Sequence, residues 1–135
     1  MAPARRVKTR TQPCSPDDAA KRLRDARGFL EVAELADQDA GVSAANAVLA
    51  GIAAADAACC AALAERSRGQ DHRDAVALVA QVRPGGQEAS AALRRLLALK
   101  NDAEYGLKSL SSANRDTALR QARKLIEFAE AAVSR

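Results

Sequence analysis

Aromatic residues are nearly missing from this sequence. It has no tryptophan, a single tyrosine at Tyr105 and two phenylalanines, Phe29 and Phe128. That removes the stacking platforms on which proteins hold single-stranded bases, and it leaves core volume to Leu, Val, Ile and Ala. Histidine occurs once, at His72, and cysteine three times, at Cys14, Cys59 and Cys60. So sparse and odd a set is no disulfide framework, and the adjacent Cys59 and Cys60 project about 100° apart on a helix. We read all three as small buried hydrophobes and expect no metal site and no cofactor. No uninterrupted apolar run reaches the roughly 18 residues of a membrane span, because Asn46 and Asp56 break the apolar stretch 44–64. With no signal-peptide core either, the chain reads as cytoplasmic, with no membrane partner. Strand-like alternation and strand-borne phosphate loops are lacking, and Pro84-Gly85-Gly86 reads as a turn.

What is abundant is alanine, about a quarter of the 135 residues. Alanine is the best helix former and has little side-chain volume, so it favours long helices packed closely together. The net charge of +4 is carried by Arg5, Arg6, Lys8 and Arg10, and from Thr11 onward the basic and acidic residues balance. Residues 1–14, with Pro3 and Pro13, are expected to be a disordered basic tail. Residues 15–135 are expected to be one helical domain.

Helix signals are strong. Ser15, Pro16 and Asp18 form an N-cap, a first-position proline and a capping-box acid, opening a helix expected to reach about Gln38 before Gly41. Ser43 is the expected cap of a second helix running to about Arg68 and ended by Gly69. Asp71 is the expected cap of a short third helix. A fourth is expected from about Gln87 to Tyr105. The last ends near Ala132, with Leu119, Ala122, Ile126, Ala129 and Val133 at helical spacing. The fold class is therefore all-α, an antiparallel up-and-down bundle of four to five helices.

Four ionisable groups lie on or beside apolar helical lines: Asp56, Arg66, His72 and Lys100. A charge in an apolar setting needs a partner, so Asp56 is expected to pair with Lys100, Arg66, Arg94 or His72. Such pairs also fix helix register. Arg66 and Arg68 are expected in the last turn of the second helix, where cations suit the dipole, with His72 opening the third. A neutral imidazole beside arginines is the equipment for metal-independent RNA cleavage, with His72 as base and Arg66 as phosphate clamp. The same groups equally serve binding alone, with Arg68, Lys100, Tyr105 and Asp56 as further ligand contacts, or merely fix the loop. Arg22, Arg24 and Arg27 read as a solvated face. The small residues Ala54, Ala58 and Ala61 offer a face for close approach of a second subunit.

Three segments resemble the HEPN superfamily of small prokaryotic helical domains. They are the alanine-rich stretch 44–68, the stretch Gly69-Gln70-Asp71-His72-Arg73-Asp74-Ala75-Val76-Ala77-Leu78, and Leu96 to Gly106 with Lys100, Ala103 and Tyr105. The resemblance implies a bundle that commonly dimerises. In its ribonuclease members an arginine and a histidine stand a few residues apart, a polar residue often following the arginine. Arg66, Ser67 and His72 match that spacing, but Asp74 stands where a tyrosine is usual, and the pair falls earlier in the chain. The resemblance therefore implies a binding or partner module without catalysis, engaging nucleotide, RNA or a separate enzyme. The alternatives are a ribonuclease using His72 and Arg66, and a purely structural homo-oligomer.

Overall fold

A computed structural model describes residues 10–68, 72–105 and 110–135, with the side chains of 102–105 excepted. The described residues are mostly helical and form five helices: α1 (Pro16–Leu35), α2 (Ala40–Leu63), α3 (His72–Val79), α4 (Gly86–Tyr105) and α5 (Ser112–Val133). Two three-residue strands, β1 (Thr11–Pro13) and β2 (Glu65–Ser67), pair antiparallel, with Gln12 opposite Arg66. These strands were not expected from the sequence. Three residues are too few for alternation to register, and their order comes from tertiary contacts.

The first helix begins as its cap predicts. Ser15 Oγ accepts from the Asp18 amide, and the Asp18 carboxylate accepts from the Ser15 amide. Those bonds hold the Asp18 carboxyl below the usual carboxylate range. Helix α2 starts earlier than expected. Asp39, not Ser43, caps it, accepting from the Val42 amide at 3.1 Å, and Gly41 falls inside its first turn rather than stopping α1. Ser43 is instead buried, donating to the Ala33 carbonyl at 2.6 Å and accepting from Arg115 Nε at 2.9 Å. Arg115 also reaches the Glu34 carbonyl, so the start of α5 is tied to the α1–α2 turn.

Helix α2 also ends earlier than expected. Ala64 takes a left-handed conformation (φ 57°) and turns the chain into β2, so Arg66 and Arg68 are not helical. The Asp71 cap and the Gly69 stop lie outside the described residues, as do residues 1–9 of the expected tail. Residues 11–14, expected in that tail, are built into the domain. The Cys14 amide donates to the Ala64 carbonyl at 3.0 Å, and Cys14 forms a disulfide with Cys60 across a Cα separation of 5.4 Å. Of the three cysteines, only Cys59 is the buried free thiol expected, and burial together with nearby Asp56 pushes it up to about 12.

Helix α2 is the axis of the fold. Ala47, Ala50, Ala53, Ala54, Ala57 and Ala58 are fully buried within the single chain, so Ala54 and Ala58 are core positions, not a subunit interface. Helix α2 is long and apolar enough by length and composition to cross a membrane, yet it is mostly buried within the fold. Gly51 explains how closely the helices meet. A Cβ there would collide with the Leu96 side chain and lie 3.1 Å from Leu125 Cδ1, so α4 and α5 fill the space that glycine leaves. The contacts Arg115–Ser43 and Leu125–Gly51 show α5 running beside α2 in the same direction. Ion pairs Arg123–Glu34 and Arg27–Glu130, each 2.9 Å, lace α5 to α1.

Candidate functional site

Asp56 lies two-thirds of the way along α2, on the side flanked by α1 and β2. Its side chain is 10% exposed, and Oδ2 accepts from Arg22 Nε at 3.3 Å and Nη2 at 3.1 Å. Arg66 Nη1 approaches the same oxygen at 3.7 Å. Burial pushes the Asp56 carboxyl above its usual range, against the pull of Arg22 and Arg66. Arg66 is thus one of the expected partners, whereas Arg22 was missed. Its position four residues before Ala26, on a line continued by Phe29 and Ala33, was the available signal. Lys100 and Arg94 do not pair with Asp56: both line a different groove.

Arg66 is held from the opposite side by β1. The strand register sets Gln12 across from it, and with the Gln12 amide assigned oxygen-inward, the orientation that satisfies both groups, that oxygen accepts from Arg66 Nε at 2.7 Å and Nη2 at 2.5 Å. These are the two nitrogens with which a guanidinium grips a carboxylate or phosphate bidentately. Thr11 donates to Glu65 at 3.1 Å, and the Arg68 amide donates to the Arg10 carbonyl at 3.0 Å. The Arg68 side chain projects from the exposed end of β2.

His72 opens α3 and is half-buried. Lys100 Nζ on α4 lies 3.1 Å from His72 Nε2. In the neutral tautomer with its proton on Nδ1, Nε2 accepts from the Lys100 ammonium. His72 separates two concavities. On one side a cleft of about 570 Å³ is lined by Gln12, Ile52, Asp56, Arg66, Arg68 and His72 among others. On the other a groove of about 660 Å³ between α3 and α4 carries Arg73, Arg94 and Lys100 around Val76 and Leu97. Four of the expected site residues therefore share one cleft, and Lys100 backs it through His72. Tyr105 ends α4, and its side chain lies outside the described residues.

Ser67 Oγ, buried where β2 lines the cleft, has no hydrogen-bond partner among the described residues. Nor do the described residues contain a group of three or more His, Cys, Asp or Glu side chains able to hold a metal. The arrangement suits anion recognition: two arginines line the cleft wall, while the one carboxylate among its described lining residues, Asp56, is buried beneath its own arginine pair. No protein-family model matches the chain, and no curated protein matches it.

Proposed function

We propose that the protein is a HEPN-like helical binding module that takes a phosphate-bearing ligand, a nucleotide or RNA, in the cleft between β2 and α3. The convergence of Arg66, Arg68 and His72 on one cleft carries this reading. Binding is favoured over cleavage by the Lys100–His72 contact. A general base needs its lone pair free for the proton it removes, and in the tautomer protonated on Nδ1 the Nε2 lone pair accepts from Lys100. Cytoplasmic residence and service to a separate enzyme belong to the same reading.

The test is a fluorescence-anisotropy titration with a labelled short RNA of mixed sequence, with ATP as competitor. Saturable binding should fall on Arg66→Ala and on Arg68→Ala, with the RNA intact on a gel. Affinity unchanged by both substitutions would refute the site. RNA cleavage abolished by His72→Ala would establish the ribonuclease reading instead.

The reading includes a homodimer. Val32, Leu35, Val42 and Leu49 are large apolar side chains 45–74% exposed, in the last turn of α1 and the first half of α2. Burial of such groups is what drives subunit association. Sedimentation should give a dimer that Leu35→Glu with Leu49→Glu converts to monomer. A monomeric wild type would end the proposal.

A further inference from the structure

We propose that β1 is a redox-held strap that covers the anion site, so that reduction of the Cys14–Cys60 disulfide opens Arg66 to ligand. This rests on the anion-binding reading above and concerns its regulation. Gln12, at the centre of β1, occupies the Arg66 fork through Nε and Nη2, the same two donors a phosphate would use. The neutral amide oxygen is a weaker acceptor than a phosphate oxygen, so it protects the fork without saturating it. Displacing Gln12 means moving β1.

Among the described residues the disulfide is the only covalent tie at β1. The strand has three residues and one partner strand, and an isolated two-stranded pairing is marginal in water. Beyond the strand pairing and the Gln12–Arg66 contact, the ties near it among the described residues are the Cys14 amide to the Ala64 carbonyl, the Arg68 amide to the Arg10 carbonyl and the Thr11 hydroxyl to Glu65. Only Ser15 separates Cys14 from α1, so the disulfide fastens the strap at its anchored end and fixes the direction in which it leaves the domain.

The chemistry is ordinary thiol–disulfide exchange with a low-molecular-weight thiol or a protein dithiol. Cys60 is 2% exposed and Cys14 half-buried, so the attacking thiolate reaches Cys14 Sγ. A mixed disulfide forms there, the Cys14–Cys60 bond breaks, and the electron pair leaves on Cys60 Sγ, which takes up a proton. A second thiolate attacks the external sulfur and releases Cys14 as a thiol and the reductant as its disulfide. Two electrons pass from reductant to protein. Cys59 does not interfere, since its buried thiol is pushed up to about 12 and holds its proton at neutral pH.

The experiment measures ATP affinity by calorimetry for the oxidised protein, the dithiothreitol-reduced protein, Cys14→Ser and oxidised Gln12→Ala. Hydrogen–deuterium exchange is followed over Thr11–Pro13 and Glu65–Ser67. The expected result is several-fold tighter binding after reduction, the same gain in oxidised Gln12→Ala, and faster exchange in both strands on reduction. Gln12→Ala keeps the disulfide, so it decides the question even if Cys14→Ser folds poorly. Equal affinity in oxidised and reduced wild type, with binding still lost in Arg66→Ala, would overturn the strap and leave the binding reading intact. No ATP binding by any form, Gln12→Ala included, would overturn both.

Discussion

Asp56 is a carboxylate buried in the middle of an alanine helix, and its consequences are electrostatic. Its folded pKa is raised, with burial as the chief cause and Arg22 and Arg66 opposing it. A group raised on folding binds its proton more tightly in the native state, so its contribution to stability is full below the unfolded value, near 4. It is lost as pH rises through the raised folded value. Measured as Tm against pH, the difference between wild type and Asp56→Asn should move against wild type across that window and then level off. Asp18 and Asp25 act oppositely. Hydrogen bonds from Ser15 and Lys21 lower their pKa values, and their contributions fade as pH falls below the ordinary range. At Gly51 the issue is steric. A side chain there meets Leu96 and Leu125, both fully buried and without room to retreat, so Gly51→Val should cost about 3 kcal/mol in urea denaturation. Of their neighbours, only Arg66 was legible beforehand, as one of the expected partners of Asp56; Arg22 and the two leucines at Gly51 were not. Asp56 stood out as a charge among apolar residues, but that pattern does not say which helix carries the answering arginine. Gly51 looks like any helical glycine until two leucines from distant segments arrive beside it.

The start of α1 and the ends of α4 and α5 were read closely, whereas the start and the end of α2 were not. The expected Ser15 cap opens α1 with reciprocal side-chain bonds, a local interaction among residues three apart; Ser111 caps α5 in the same way but was not singled out in the sequence. The end of α2 is set by tertiary structure. No glycine stands at Ala64, yet it adopts φ 57° so that β2 can fold back onto β1. A left-handed alanine costs about 1 kcal/mol relative to glycine, so Ala64→Gly should stabilise the protein by about that amount in thermal unfolding without altering β2. An unchanged or lowered Tm would contradict it. The strands failed to show for the same reason: their order depends on a disulfide and on backbone partners across the fold. Arg66 and Arg68 were therefore assigned to the right corner of the protein but to the wrong kind of element.

For the whole molecule, the all-helical reading held because helical periodicity and alanine content accumulate over more than a hundred residues. The cysteines did not follow, since three thiols scattered through a sequence give no pairing until the chain is folded. The Cys14–Cys60 bond closes a loop across 46 positions. On the chain-entropy account that restriction of the unfolded chain stabilises by about 4 kcal/mol. Cys14→Ser should lose most of it in urea unfolding, and a reductant should lower wild-type stability comparably while leaving Cys14→Ser unaffected. The closed loop contains α1, the α1–α2 turn and nearly all of α2. That gives the domain a covalent topology as well as a packed one. A protease cutting the exposed turn at Asp37–Asp39 would leave a nicked molecule whose halves stay joined through sulfur. Two polypeptides would then still share one interior, separable only when the environment turns reducing.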